Sequence, residues 1–259
     1  MTTILRATRV AGFLVAVVWS SVANAETTDT LRLRDHEQTV HLYGTRGGAP
    51  VIVSSGDGGW MHLGPQVATL LASRGYFVVG FDVKAYLESF TSGSTTLRTQ
   101  DVPGDYRALV AYAARGSRAK PVLVGVSEGA GLSVLAGGDP ATKTLLGGVV
   151  ALGLPDVNEL GWRWKDAVIY LTHGVPKEPT FNTRDFVAAV APLPLAAIHS
   201  TNDEFVPVSQ ARDLLARAGH PSNLWVVTAR DHRFSDNRLE FETRLTEAFT
   251  WLAQNQPPQ

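Results

Sequence analysis

The five residues around Ser127 have the clearest potential for chemistry in this sequence. Glycines stand two residues before and two residues after the serine, in the pattern G-x-S-x-G formed by residues 125–129. On a sharp turn from strand to helix such a serine exposes its hydroxyl, and the glycines are needed because side chains would collide across the turn. A serine also caps ordinary helices. Because the chain contains 24 glycines, the spacing alone leaves both interpretations open.

A serine nucleophile needs a base, and the base needs a group that orients it. His232 follows the last predicted strand in the segment ARDHRF, and Asp203 closes the predicted strand LPLAAIHSTND. Both residues therefore lie after strand ends, on the same sheet edge as Ser127 and in the chain order serine, acid, histidine. We predict Ser127 as nucleophile, His232 as base and Asp203 as the acid. Asp156 and Glu204 remain alternatives for the acid.

The other histidines are weaker candidates for the base. His62 opens the helix after the third strand and precedes the serine in the chain. His199 lies inside a strand, where we expect a core residue. His36 and His41 belong to the N-terminal hairpin, away from the expected site. These placements favour His232.

Two N–H donors are needed to stabilise the tetrahedral intermediate of acyl transfer. Glu128, directly after the nucleophile, is expected to supply one from its backbone. Asp57, in the glycine-rich loop SSGDGGW after the third strand, is expected to supply the other. Further contacts with substrate are expected from the same loop and from a tryptophan-rich segment. These expected contact residues are Gly58, Trp60, Trp162 and Trp164.

The two residues expected to form the oxyanion hole both have acidic side chains. A carboxylate beside a developing oxyanion is unfavourable unless it points away or meets a cation. One interpretation is that Glu128 offsets the helix dipole and Asp57 caps its own loop. The other is that they receive a cationic group of the substrate, such as the amino group of an aminoacyl ester.

The sequence lacks the common metal and cofactor motifs. The glycine-rich loop does not contain G-x-x-x-x-G-K-[ST], and G-x-G-x-x-G fails because Met61 occupies its last position. The chain has no H-E-x-x-H segment and no cysteine. We therefore expect acyl transfer to water without a metal or a cofactor.

The elements that would position these residues alternate along the chain. Residues 30–35 and 38–44 alternate in polarity and predict a solvent-facing hairpin. Apolar runs typical of buried strands begin at residues 49, 76, 120, 145, 193 and 223, and segments with helical spacing separate most of them. This order predicts an α/β fold with a mostly parallel central sheet, an N-terminal antiparallel hairpin and helices on both faces.

The N-terminal residues differ from the rest of the chain. Residues 1–25 combine Arg6 and Arg9, an apolar run over residues 10–19 and an Ala-Asn-Ala segment ending at Ala25. This pattern is typical of a cleavable secretory signal peptide, and the apolar run is too short to span a bilayer comfortably. We expect cleavage after Ala25 and a periplasmic or secreted protein. Residues 26–259 then form one domain, in which residues 155–192 are an irregular excursion or small cap.

Charge and composition restrict the classes of partner. The formal net charge is −1, with no run of lysines and arginines, so we do not expect nucleic-acid binding. A hydrophobic content of 44% with 18% charged residues is typical of a folded globular protein. The expected partner is a small-molecule or lipid ester. Peripheral contact with membrane lipid and the oligomeric state are left open.

Several segments together resemble the α/β-hydrolase superfamily over essentially all of residues 26–259. GVSEGAG resembles its nucleophile elbow, SSGDGGW its oxyanion loop, STNDEFVP its acid loop and ARDHRF its histidine loop. The resemblance implies the α/β-hydrolase fold and a serine hydrolase of the carboxylesterase kind. SGDGGW with a secretory signal further resembles the VirJ/AcvB-like branch, bacterial periplasmic virulence proteins linked to hydrolysis of aminoacyl-phosphatidylglycerol. The elbow departs from that branch, which favours an aromatic residue at Val126 and Ala-Asp at Ala130-Gly131.

Three functions remain open from the sequence. The leading one is cleavage of a carboxylic ester through an acyl-enzyme at Ser127. An amidase or peptidase would use the same three residues. A non-catalytic binding or assembly factor with the same fold would instead use the region of Trp162 and Trp164 as a contact surface.

Overall fold

The computed structural model describes residues 26–163 and 178–257. The expected signal peptide, with its cleavage site after Ala25, lies outside the described residues. So does Trp164, one of the residues expected to contact substrate. None of the helices in these two ranges is both long and apolar enough to span a membrane.

The described residues form a β-hairpin followed by alternating strands and helices. In chain order the elements are β1 Thr27–Leu33, β2 His36–Tyr43, β3 Ala49–Ser54, α1 Leu63–Ser73, β4 Tyr76–Phe81, α2 Val83–Ser89, α3 Val102–Ala113, β5 Val122–Val126, α4 Glu128–Gly138, α5 Pro140–Lys143, β6 Gly148–Leu152, β7 Val157–Glu159, β8 Thr180–Asn182, β9 Leu195–Ser200, α6 Val208–Arg217, β10 Ser222–Val227 and α7 Arg238–Gln254.

Eight of the strands form one sheet in the order β1-β2-β4-β3-β5-β6-β9-β10. The hairpin strands β1 and β2 are antiparallel, with Thr27 opposite Leu42, and β2 is antiparallel to β4. All other neighbours in this sheet are parallel. The predicted fold class is confirmed: a mostly parallel central sheet with an N-terminal antiparallel hairpin.

Side chains alternate between two hydrophobic layers, one on each face of the sheet. In β3, Ile52 packs into one layer, and Val51 and Val53 pack into the other. Helices α2, α3 and α4 cover the face that contains Ile52, and helices α1 and α7 cover the opposite face. The strands are therefore buried on both sides, which explains their nearly continuous apolar sequences.

The carboxyl ends of the parallel strands meet at one edge of the sheet. β3, β5, β9 and β10 end at Ser54, Val126, Ser200 and Val227. The loops that follow these strands contain the glycine-rich segment, the serine, the acid and the histidine predicted from the sequence. The topology thus places all four at one edge, where open α/β sheets bind ligands.

A short helix after β4 was not predicted from the sequence. The apolar run predicts a strand as far as Val83, whereas β4 ends at Phe81 and α2 begins at Val83. The cause is Asp82, whose carboxylate accepts a hydrogen bond from the N–H of Ala85 at 3.0 Å. An N-cap aspartate of this kind starts a helix even within an apolar run.

The region of residues 155–192 contains an extra pair of strands in its described part. β7 and β8 form a separate antiparallel ribbon in which Asn158 is opposite Phe181. Two single-turn 3₁₀ helices, Thr183–Asp185 and Val187–Val190, then lead towards β9. The described part of this region therefore contains a strand ribbon besides its irregular segments, and its role as a small cap stays a prediction.

Candidate active site

Ser127 occupies the turn between β5 and α4 with an unusual backbone conformation. Its φ and ψ angles are 50° and −116°, a region that residues other than glycine rarely adopt. The N–H of Ser127 donates to the carbonyl oxygen of Leu152 at 2.8 Å, and the N–H of Ala130 donates to the Ser127 carbonyl at 2.8 Å. These contacts hold the serine in a strained conformation, which is typical of functional sites.

The two glycines that flank Ser127 are required by close packing. A Cβ atom at Gly125 would overlap the backbone of Gly129 and Ala130. A Cβ atom at Gly129 would lie 2.6 Å from the carbonyl oxygen of Ser54 at the end of β3. The turn is therefore as tight as the sequence pattern predicted, and α4 begins directly against two strands.

His232 and Asp203 form a buried hydrogen-bonded pair. The imidazole Nδ1 lies 2.5 Å from Asp203 Oδ2, and the imidazole Nε2 is buried without a hydrogen-bond partner in the described part of the chain. Asp203 Oδ1 accepts the N–H groups of Phe205 at 2.9 Å and Val206 at 2.8 Å. Burial alone would raise the pKa of Asp203, but the bond with His232 and the two N–H groups lower it below its ordinary value.

Ser127 and the imidazole of His232 both lie beside the end of β6. Leu152, the last residue of β6, accepts the N–H of Ser127. The next residue is Gly153, where a Cβ atom would overlap the imidazole of His232. Both Ser127 and His232 line one cavity above this segment. The base and the nucleophile are thus brought together although 105 positions of sequence, 127 to 232, separate them.

The alternative acids have other partners. Asp156 forms an ion pair with the guanidinium of Arg184 and accepts its backbone N–H at 3.1 Å. Glu204 accepts the backbone N–H of His232 at 2.7 Å and so supports the loop rather than the imidazole ring. Among these three acids it is Asp203 that contacts the ring of His232.

The cavity above Ser127 has a volume of about 640 Å³. Its walls come from the glycine-rich loop, the start of α1, β7 and the acid and histidine loops. Three large apolar side chains on this wall are about half exposed: Met61 at 52%, Val157 at 50% and Phe205 at 53%. The cavity therefore combines a polar floor with an apolar mouth.

The two predicted oxyanion donors border this cavity. Glu128 is the first residue of α4, and the first N–H groups of a helix have no acceptor within it. The loop with Asp57 passes over the serine, since a Cβ atom at Gly56 would lie 3.4 Å from the Cβ of Ser127. Both residues line the cavity beside Ser127, and their role as oxyanion donors stays a prediction.

Three carboxyl groups face the cavity, one more than the sequence indicated. Glu128 is buried, and its Oε1 accepts the backbone N–H of Glu159 in β7 at 2.7 Å. Burial, together with the nearby carboxylates of Glu159 and Asp57, raises the pKa of Glu128 well above its ordinary value. Burial also raises the pKa of Asp57, an effect that the nearby imidazole of His232 and the N–H of Gly58 oppose. In the described ranges, these groups do not form a set arranged to hold a metal ion.

Trp60 packs against the N-terminal hairpin. Its indole stacks on the imidazole of His41 at 4.9 Å, and its Nε1 donates to the hydroxyl of Tyr43 at 3.3 Å. It also fills the space above Gly80, where a Cβ atom would overlap the indole. Trp60 therefore joins the glycine-rich loop to the hairpin and is not part of the cavity wall. The structure thus shows a packing role for Trp60, and its contact with substrate stays a prediction.

The other expected contact residues have mixed outcomes. Gly58 lines the cavity and is exposed, and Trp162 lines it while remaining 5% exposed. The ammonium of Lys84 lies 4.2 Å from the centre of the Trp162 ring. The sequence did not indicate Lys84 or Glu159, because both belong to short elements, α2 and β7, that carry no clear periodicity.

Solved structures resemble this chain along most of its length. The α/β hydrolase GrgF from Penicillium sp. has a TM-score of 0.65 at 12% identity, covering 90% of this chain and 99% of its own. The chain has the α/β-hydrolase fold. An esterase from Pyrococcus furiosus gives 0.64 at 16% identity, covering 95% and 97%. A dienelactone hydrolase from Anabaena variabilis gives 0.63 at 13% identity, covering 91% and 100%.

Sequence comparison supports the resemblance to VirJ over part of the chain. The family described as bacterial virulence protein VirJ matches residues 49–143. The match runs from β3 to α5, so it includes the glycine-rich loop and Ser127 but neither Asp203 nor His232. The expected resemblance to VirJ is confirmed over these residues. No curated protein matches the sequence.

Proposed function

We propose that this protein is a serine hydrolase that cleaves a carboxylic ester through an acyl-enzyme at Ser127. One observation carries the proposal. The imidazole of His232 bonds to Asp203 through Nδ1, and its Nε2 has no hydrogen-bond partner among residues 26–163 and 178–257. His232 also lines the same cavity as a serine held in a strained turn. The fold is also that of solved structures described as esterases and hydrolases.

The proposed reaction has two symmetrical halves. The Ser127 hydroxyl oxygen attacks the ester carbonyl carbon while its proton passes to His232 Nε2, and Asp203 stabilises the imidazolium. The backbone N–H groups of Glu128 and Asp57 receive the negative oxygen of the tetrahedral intermediate. His232 then gives the proton to the departing alcohol oxygen. Water repeats the sequence on the acyl-enzyme, which releases the acid and restores the serine.

The substrate that fits the cavity best is an aminoacyl ester of a lipid. An ammonium group would bind among the carboxyl groups of Glu128, Asp57 and Glu159 and favour their ionised forms. The apolar mouth, with Met61 and Phe205, would contact the acyl chains of a membrane lipid. The VirJ resemblance supports the same substrate class, an aminoacyl phospholipid.

The site of action proposed with this substrate is outside the cytoplasm. The sequence of residues 1–25 supports export and cleavage after Ala25. Mass spectrometry of the mature chain from a periplasmic fraction is expected to find Glu26 at its N-terminus. A mature chain that still begins at Met1 would contradict export by this signal.

Fluorophosphonate labelling tests the serine hydrolase proposal. Wild type is expected to be labelled on Ser127, and Ser127→Ala is expected to lose the label. Ser209→Ala is a matched control because Ser209 is an exposed serine in α6, and it should be labelled like wild type. A correctly folded wild type without label at Ser127 would favour the non-catalytic binding function.

A comparison of esters tests the substrate class. Hydrolysis of a lysyl ester and of a neutral acyl ester with the same alcohol is measured for wild type, Glu128→Gln and Asp57→Asn. Wild type is expected to hydrolyse the lysyl ester faster than the neutral ester. Both variants should lose this preference, because their rate on the lysyl ester falls more than their rate on the neutral ester. Equal rates on the two esters in wild type would exclude cation recognition. A parallel series of amides distinguishes an amidase or peptidase.

A further inference from the structure

A second histidine lies behind the acid of the candidate site. His199, in β9, is fully buried, and its Nε2 lies 2.6 Å from the carbonyl oxygen of Val206. The same nitrogen lies 3.5 Å from Asp203 Oδ2, the oxygen that contacts His232 Nδ1. The carboxylate of Asp203 is therefore placed between two imidazoles, one facing the cavity and one facing the core.

The contacts of His199 determine its protonation. A carbonyl oxygen only accepts hydrogen bonds, so the 2.6 Å contact requires a proton on Nε2. Nδ1 is buried and has no hydrogen-bond partner in the described residues. A second proton there would leave a buried donor unsatisfied, which is unfavourable. Burial also lowers the pKa of His199. His199 is thus neutral, with its N–H directed at the acid loop.

The N–H of His199 closes a ring of contacts around the acid loop. The carbonyl of Val206 accepts from His199, and the N–H of Val206 donates to Asp203 Oδ1 at 2.8 Å. Val206 therefore connects His199 in β9 with the carboxylate of Asp203. The positive end of the same N–H dipole also lies close to Asp203 Oδ2. The ionisable groups acting on His199 are Asp203 and His232.

We propose that His199 is a positioning residue that fixes the acid loop and orients the carboxylate of Asp203 towards His232. This inference rests on the proposed serine hydrolase function for its kinetic consequence, although the contacts themselves exist without it. Loss of the His199 N–H would release Val206 and allow the Asp203 carboxylate to rotate away from its 2.5 Å contact with His232. The sequence indicated only a core histidine at this position.

The inference predicts a specific kinetic change. Without the His199 N–H, the base is held less well, so kcat falls while KM changes little. A displacement of a catalytic group by about 1 Å lowers rates by about 100-fold, and we expect a loss of about 10- to 100-fold here. The positive end of a dipole is also removed from the neighbourhood of the imidazolium. Protonation of the base therefore becomes easier, and the acid limb of the kcat profile moves to higher pH.

Two substitutions test the inference. His199→Leu removes the donor and keeps an apolar side chain, and it should show the loss of kcat and the shifted acid limb. His199→Gln places an amide N–H near the position of Nε2, and it should retain most of the activity with the acid limb of wild type. If His199→Leu does not fold, His199→Asn, whose shorter amide falls short of Val206, takes its place. Unchanged kcat and pH profile in a folded variant without the donor would overturn the proposal.

Nuclear magnetic resonance separates this inference from the proposed function. The ring N–H signal of His232 Nδ1, bonded to Asp203, is recorded for wild type and the same variants without any substrate. It should move in His199→Leu and stay in place in His199→Gln. An unmoved signal in His199→Leu would reject the positioning role even if the protein is a serine hydrolase. A signal that moves in His199→Leu, together with a wild type that fluorophosphonate does not label, would support positioning while rejecting the function.

Discussion

One glycine and one carboxylate determine where the imidazole of His232 lies. Gly153 leaves room for the ring beside the end of β6, and Asp203 bonds to its Nδ1 at 2.5 Å. Nε2 has no hydrogen-bond partner in the described part of the chain, and the residue borders the cavity that Ser127 also lines. The chemistry proposed for the site depends on these two contacts, and each can be removed separately.

Substitution of Gly153 by alanine should remove activity without removing the acid or the base. The added methyl group overlaps the imidazole of His232, and the φ angle of +60° at this position disfavours any side chain. We expect a fall in kcat of about 100-fold or more and a loss of about 1–3 kcal/mol in the free energy of unfolding. Ester hydrolysis and urea denaturation measure the two effects.

Gly104→Ala is the matched control for this substitution. Gly104 lies in α3, where the nearest atom to an added Cβ is the guanidinium of Arg107 at 3.6 Å. Alanine there should leave kcat unchanged and raise helix stability by up to about 1 kcal/mol. Equal activity of Gly153→Ala and Gly104→Ala would contradict the placement of His232.

Substitution of Asp203 by asparagine should lower kcat by about 10⁴-fold, because the imidazole loses its orienting carboxylate. The lowered pKa of Asp203 also gives a pH-dependent stability. The ionised carboxylate stabilises the fold above the unfolded pKa of about 3.9, and this contribution is lost as the pH falls through the lower folded pKa. Wild type should therefore exceed Asp203→Asn in stability at pH 7 and approach it near pH 3 in urea titrations. A difference that does not depend on pH would contradict this assignment.

The first turn of α4 is connected to the ribbon of β7 and β8 through Glu128. Its carboxyl oxygen accepts the N–H of Glu159, so the side chain of Glu128 bonds to the backbone of another residue that lines the cavity. Burial and two neighbouring carboxylates raise the pKa of this carboxyl. Both interpretations of Glu128 made from the sequence depend on a negative charge, which these surroundings disfavour.

Glu128→Gln should change how stability depends on pH. A raised pKa in the fold means that the contribution of this group is fully present below the unfolded pKa, about 4.3, and is lost as the pH rises towards the folded pKa. Wild type should therefore lose more stability than Glu128→Gln between pH 5 and pH 9. Glu37→Gln, at an exposed position in β2, should follow wild type. Parallel curves for wild type and Glu128→Gln would show that the carboxyl ionises freely.

The strands of this fold were predictable because most are buried on both faces. The runs beginning at residues 49, 120 and 193 correspond to β3, β5 and β9, and their order gave the edge where Ser127, Asp203 and His232 meet. Short elements were not predictable, since α2 depends on one capping residue, Asp82, and β7 contains three residues. The packing of Trp60 was not predictable either, because only the three-dimensional structure shows that Gly80 leaves a space for the indole.

Across the whole molecule, the order of strands explains why distant segments form one site. Because neighbouring strands run in the same direction, the loops that follow them lie at the same edge of the sheet. The serine, acid and histidine loops follow β5, β9 and β10, while the glycine-rich loop follows β3. The sheet thus fixes the positions of the loops, and the loops contain the residues proposed to react.

The most direct test is to trap the acyl-enzyme on the intact protein. Wild type is mixed with p-nitrophenyl acetate, quenched in acid and digested, and mass spectrometry searches for an acetyl group on the peptide that contains Ser127. We expect acetylation of Ser127 in wild type, much slower acetylation in Asp203→Asn and in His232→Ala, and none in Ser127→Ala. Release of p-nitrophenol that continues in Ser127→Ala at the wild-type rate, with no acetyl group on Ser127 in wild type, would contradict the account.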